Sequence, residues 1–186
     1  MAKGKCPKTE GAPGLAAERE VRDLLATLVK DGCLVMNDVP FPYGNLDHVV
    51  VRLRQGYAGQ DAGQVRPDRT VFLIETKSQH GRVTWNGKHL LINGRPFARN
   101  PICQMNRGIR WMQLCPGKQL FGLPVRGRLT ASALAQAGTQ TGTNPWIVAV
   151  LVFPNAVVHV RRPVQRINVM SARDLPAFIR SYPGKT

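Results

Sequence analysis

Glu75 and Lys77 stand two residues apart in the stretch FLIETKSQHG, residues 72–81. Phe72, Leu73 and Ile74 read as a buried strand, and on a strand residues i and i+2 face the same side. Their Cα atoms are then about 6.6 Å apart, close enough for both side chains to reach one small ligand. A carboxylate can hold a divalent cation, and a neighbouring ammonium can steady a phosphate or orient water. An ion pair at a strand end accounts for the same two residues. Asp47 enters the run LDHVVVRL, although Asp is depleted in strands. It reads as a site residue or as a turn residue capping the PYGN corner. Glu18 lies three residues before Val21 and seven before Leu25, close to the apolar stripe of a helix. A carboxylate there needs a partner or a metal, and Arg22, four residues on, could be that partner. Gln104 follows Asn100-Pro101 at the start of a second helix. Its amide could serve a backbone group, a water near a metal, or the helix surface.

The elements that must position these side chains follow from hydrophobic periodicity. Residues 15–30 predict a helix, with Val21, Leu24, Leu25, Leu28 and Val29 on its apolar face, Pro13-Gly14 before it and Asp31-Gly32 after it. Residues 33–37 and 46–53 predict strands, joined by the turn-rich PFPYGN. Residues 54–69 lack an apolar period and predict an exposed loop, and residues 70–77 the next strand. RVTW and HLLI flank Asn86-Gly87, a hairpin signal, and Asn93-Gly94 marks another turn. ICQMNRGIRWMQL predicts a helix stopped by Pro116-Gly117. WIVAVLVF reads as a fully buried strand, AVVHV and RINVM as strands, and Ser171 with Asp174 as the capped start of a last helix. The order predicts an α/β fold, a mixed central sheet flanked by helices. It forms one domain over residues 14–186, with a flexible basic tail at 1–13 and an insertion or arm at about 117–145.

A chain of 186 residues can bury a real core without disulfides. Twenty-six Lys and Arg against eleven Asp and Glu give a formal net charge of +15. That balance speaks to partners, and a polyanion, nucleic acid before membrane, is the partner it predicts. A solvated basic surface is the plainer alternative. Cys6, Cys33, Cys103 and Cys115 form no C-x-x-C pair and no His lies at zinc-ligand spacing, which argues against a zinc site and for reduced thiols in a cytoplasmic protein. The N-terminus is basic without the apolar core of a secretory signal, and no apolar run approaches about 18 residues.

In chain order, a helical Glu, a strand Asp, Glu-x-Lys on the next strand and a helical Gln resemble the PD-(D/E)XK nuclease superfamily. More narrowly, the chain looks like the nuclease-related domain, or NERD, group. The matching stretches are AAEREV, GNLDHVVV, IETKSQHGRV, NPICQ and VFPNAVV. The likeness covers about residues 11–115 and 146–180. It departs at Ala17, where a Gly often precedes the Glu, in the long loop between Asp47 and Glu75, and at 117–145. The resemblance implies a restriction-endonuclease-like core and a metal-dependent nuclease hydrolysing DNA phosphodiester bonds, with RNA as a further substrate class to test. Asp47 and Glu75 would ligate Mg²⁺ (or Mn²⁺), with the Thr76 carbonyl as a further ligand. Lys77 would position or activate the attacking water. Glu18 would support the metal through water or orient Lys77, and Gln104 would hold the geometry. Arg82, Arg107 and Arg110 would contact the nucleic acid, although solvated charge accounts equally well for the two helical arginines. Cutting both strands of a duplex would call for two sites, hence a homodimer. A nucleic-acid-binding module on the same fold, with little turnover, is the second reading. His48 reads as packed or solvent-exposed, His80 as at most a phosphate contact, and Trp85, Trp111 and Trp146 as core.

Overall fold

Ala17, Val21, Leu25 and Leu28 recur at helical spacing and are fully buried along one face of the first helix and its extension. The computed structural model describes residues 12–54, 68–114 and 146–183. Helix α1 spans Ala12–Ala26 and tightens into a 3₁₀ turn at Thr27–Asp31. Gly32, at φ 78°, ends that turn with its N–H donating to Val29 O at 3.1 Å. The change of helical period at Thr27 explains one departure from expectation: Val29, assigned to the apolar face, is 58% exposed. Pro13 and Gly14 lie inside the first turn rather than before it, where a proline without an N–H costs nothing.

Five strands form the main sheet: β1 (Cys33–Phe41), β2 (Gly44–Arg54), β3 (Asp68–Thr76), β7 (Trp146–Phe153) and β9 (Ile167–Ser171). Their spatial order is β1-β2-β3-β7-β9. The first three run antiparallel, and β3, β7 and β9 run parallel. β1 continues past the expected Asn37 to Phe41, through Asp38 at φ 53° and through Pro40. Pro40 is tolerated because β1 is an edge strand. Strands β4 (Gly81–Trp85), β5 (Leu90–Ile92), β6 (Arg95–Pro96) and β8 (Ala156–Val158) form a second sheet in the order β6-β5-β4-β8. The single mixed sheet of the sequence reading is therefore two mixed sheets.

Alternation along the main strands sorts the core into two layers. Val49, Val51, Val71, Leu73, Ala149 and Leu151 pack with Ile102, Met105 and Met112 of α2 (Pro101–Leu114). Val50, Phe72, Ile74, Val148, Val150 and Val152 pack with Val21 and Leu25 of α1 and with Leu175 and Ile179 of α3 (Leu175–Ser181). Helices thus cover both faces, which is why β3 and β7 read as continuous apolar runs. Truncating a residue such as Leu73 to Ala would cost about 2–5 kcal/mol. Trp146, expected in the core, is 47% exposed at the first position of β7. Trp85 and Trp111 are partly buried against the α2-side core. No helix among the described residues is long and apolar enough to cross a membrane. The expected segment 117–145, most of the 54–69 loop, residues 1–11 of the tail, Cys6 and Cys115 lie outside the described residues.

Candidate active site

Strand β3 carries Val71 and Leu73 on its α2 face, so Glu75 is the next residue on that face. Lys77 follows two residues later, just past the strand. Its N–H donates to Val152 O at 2.9 Å, which extends the β3–β7 pairing by one residue and fixes its backbone. Lys77 Nζ donates to Glu75 Oε1 at 2.7 Å.

Asp47 lies on β2 one residue before the last ladder pair with β3, His48 and Ile74. Its Oδ2 accepts the Thr76 N–H at 2.8 Å and so ties the two strands together beyond that pair. Asp47, Glu75 and Thr76 are 4%, 6% and 7% exposed. Burying two carboxylates is costly unless they are bonded or bind a cation. Thr76 Oγ1 is also buried and has no hydrogen-bond partner.

Helix α2 supplies the next member. Asn100 Oδ1 accepts the Ile102 N–H at 2.9 Å and caps the helix, with Pro101 at its first position. One turn beyond Gln104, Gly108 lets the helix sit close to the sheet. A Cβ there would lie 3.0 Å from both Leu46 Cδ2 and Leu73 Cδ2. The close approach brings Gln104 over Glu75 and Lys77. Gln104 Oε1 accepts from Lys77 Nζ at 2.9 Å, and Gln104 Nε2 donates to Glu75 Oε1.

The network that can be traced atom by atom thus joins Asp47, Thr76, Glu75, Lys77 and Gln104. These five residues come from β2, the end of β3 and the first turns of α2. Glu18 is half-buried on α1, on the other side of the sheet from α2, and is itself partnered. Among the described residues no group of three or more His, Cys, Asp or Glu is placed to hold a metal. Arg22 donates to Asp38 Oδ2 at 3.1 Å. Arg82, Arg107 and Arg110 are exposed, on β4 and on α2. His48 is 1% exposed with its Nδ1 2.7 Å from Asn37 Oδ1, in agreement with a packed residue. Burial, helped by the Arg22 charge, lowers its pKa to about 4. His80 is exposed.

Asn93, read from sequence only as a turn residue, does more. Its Oδ1 accepts the Arg82 N–H at 2.8 Å, its Nδ2 donates to His80 O at 3.2 Å, and its own N–H donates to Arg82 O at 2.9 Å. These bonds clamp the chain just beyond Lys77. Gly81, at φ 110°, is required there, because a Cβ would fall on the Asn93 carboxamide. A Gly four residues after a candidate Lys, with an Asn-Gly turn a dozen residues on, was the available signal.

Chemically, the cluster holds two buried carboxylates beside an ammonium that is itself held by two acceptors. Compared with family models, curated proteins and solved structures, the chain finds no match in any of the three.

Proposed function

We propose that this protein is a metal-dependent nuclease of the PD-(D/E)XK kind that hydrolyses DNA phosphodiester bonds. The observation that carries this reading is the meeting of Asp47, Glu75, Lys77 and Gln104 at one end of the sheet. A restriction-endonuclease-like core belongs to the same proposal. It is supported by α1 and α2 packing on opposite faces of a sheet whose second and third strands carry the acidic residues.

The donor chemistry suits a hard divalent cation. Asp47, Glu75 and the Thr76 carbonyl are all oxygen donors, and Mg²⁺ takes few protein ligands and keeps several waters. One oxygen of each carboxylate is engaged within the site, Asp47 Oδ2 with the Thr76 N–H and Glu75 Oε1 with Lys77. Bound there, Mg²⁺ or Mn²⁺ would make a coordinated water more acidic and polarise the scissile phosphate.

The chain's own residues do the rest. Gln104 and Glu75 hold Lys77 Nζ in place, so that its charge faces the phosphate and its N–H groups orient the attacking water. The water oxygen forms a bond to phosphorus, one P–O ester bond breaks, and the water's proton ends on the leaving oxygen. Glu18 would support the metal through water or orient Lys77. Unpaired Cys33 and Cys103 agree with a reducing compartment such as the cytoplasm.

The test is purified protein with plasmid, single-stranded DNA and RNA, each with Mg²⁺, Mn²⁺ or EDTA. DNA cleavage that requires metal is expected, and Asp47→Ala, Glu75→Ala and Lys77→Ala should each lower it about 100-fold or more. Variants that cut as well as the wild type would trace the activity to a contaminant and sink the proposal.

A further inference from the structure

The net charge is not spread along the chain. Residues 1–76 hold ten Lys and Arg and ten Asp and Glu. Residues 77–186 hold sixteen Lys and Arg and one acidic residue, Asp174. The whole surplus of +15 therefore follows Glu75.

The fold gathers much of that surplus on the β6-β5-β4-β8 sheet and the segment that leaves it. Arg82, Lys88, Arg95, Arg161, Arg162 and Arg166 are all exposed there. No acidic residue occurs between 77 and 173 to neutralise them from the same part of the chain.

Two cavities that share Asn155 and Val157 form a trough on this sheet, and the chain reaches it directly from the strand end that Lys77 is bonded to. Lys77 is bonded to Val152, and the chain turns at Pro154-Asn155 two residues later. Asn155 and Val157 line two adjoining cavities of about 650 and 440 Å³. Arg173 and Asp174 line the first, where the carboxylate offsets the Arg173 charge, and Arg82 and His159 the second. The Asn93 clamp fixes the backbone of Arg82 at the trough's wall.

We infer that the small sheet is a platform for a DNA backbone, whose phosphates run from the catalytic cluster along the Asn155 trough to Arg82 and the Arg161-Arg162 pair. The identity of the polyanion rests on the nuclease reading. The surface chemistry favours phosphodiesters over a lipid surface on its own account. Five of the six cations are Arg, whose planar fork matches phosphate oxygens. The sheet offers a single exposed large apolar side chain, Val157, to insert into lipid.

The experiment measures binding of a labelled duplex of about 30 base pairs by fluorescence anisotropy in EDTA, between about 50 and 200 mM salt. Arg82→Ala/Arg161→Ala is compared with Arg19→Ala/Lys30→Ala, which removes two exposed charges from α1 and the turn after it. Arg161→Ala/Arg162→Ala is a second platform variant that leaves the clamp untouched. Each platform variant should reduce the slope of log affinity against log salt by about 2, while the α1 variant stays close to wild type. Equal effects of platform and α1 variants, or none, would overturn the platform. So would platform variants that lose phosphatidylserine vesicles but keep the DNA slope. Because no turnover is needed, an intact slope effect without metal-dependent cleavage would overturn the nuclease reading alone.

Discussion

His48 makes the stability of this fold sensitive to mild acid. Asn37 Oδ1 can only accept, so the imidazole Nδ1 carries the proton and donates across 2.7 Å. Nε2 is then a bare acceptor, buried without a partner. Burial first, and the Arg22 charge second, hold the native pKa down from 6.5 to about 4. Between those values the unfolded chain takes up a proton that the native state refuses. Stability is therefore fully present above pH 6.5 and declines as pH falls toward about 4. At about 1.4 kcal/mol per pH unit, the full window amounts to about 3 kcal/mol, a large share of a typical domain's stability. Urea unfolding of wild type and His48→Gln, in EDTA so that no cation at the neighbouring Asp47 contributes, measures the effect. Gln keeps an N–H for Asn37, and the remaining titrating groups are common to both proteins. Between about pH 6 and 5, the wild type should lose about 1 kcal/mol more than the variant. Parallel pH profiles would refute a neutral, buried His48.

Gln104→Leu removes a bond to each of two charged partners. With bonds to charged groups worth about 1.5–3 kcal/mol each, and water able to replace part of them, cleavage should slow about 10- to 100-fold in kcat with little change in KM or Tm. A fall in Tm with unchanged kcat would make Gln104 merely structural. Gly81→Ala forces a side chain onto Asn93 at φ 110°, and should cost about 2–4 kcal/mol in urea unfolding. Arg52 is buried, donates to Ile179 O at 2.6 Å and lies 5.6 Å over the Phe72 ring. Arg52→Leu should cost about 2 kcal/mol in thermal unfolding by loosening α3, and Arg52→Lys should not restore it, since an ammonium cannot reproduce the planar stack.

Much of the site was legible because it breaks local rules. An Asp and a Glu inside apolar strands are anomalies that propensity cannot explain, and Asp47 and Glu75 stood out on those grounds; Lys77 followed from its spacing to Glu75, and Gln104 only from the order in which the four occur. The strands β3 and β7 and the helix α2 were legible because burial on both faces, or on one helical face, leaves a plain pattern. Pairing partners were not. β4 joins β8 in parallel across more than seventy residues, and three-residue strands such as β5 carry no register of their own. Exposure at element ends was also hidden. Trp146 is apolar by type but sits where β7 enters the sheet, and Val29 turns outward where the helix changes pitch. The role of Gln104 depends on Gly108, whose missing side chain sets the height of α2 over the sheet.

The split in charge bears on what the basic half is for. Neutralising an arginine within the chain takes a carboxylate, and several acids of the first 76 residues are already committed. Asp31 accepts from Arg180, Asp38 from Arg22, and Glu75 from Lys77. Pairing each remaining cation of residues 77–186 within the chain would need more acidic groups than the sequence holds. Such a surplus repels itself and weakens the compact state, so gathering six of its cations on the small sheet and the segment after it has a cost in the protein alone. A polyanion laid across that sheet would remove the repulsion while bringing its phosphates to Lys77. The acidic cluster then has a separate task, because carboxylates facing phosphate oppose binding unless a cation stands between them. Raising salt in the absence of DNA should accordingly stabilise this protein, as counter-ions screen the same surplus. A Tm that falls steadily with added NaCl would contradict both the repulsion and the platform built on it.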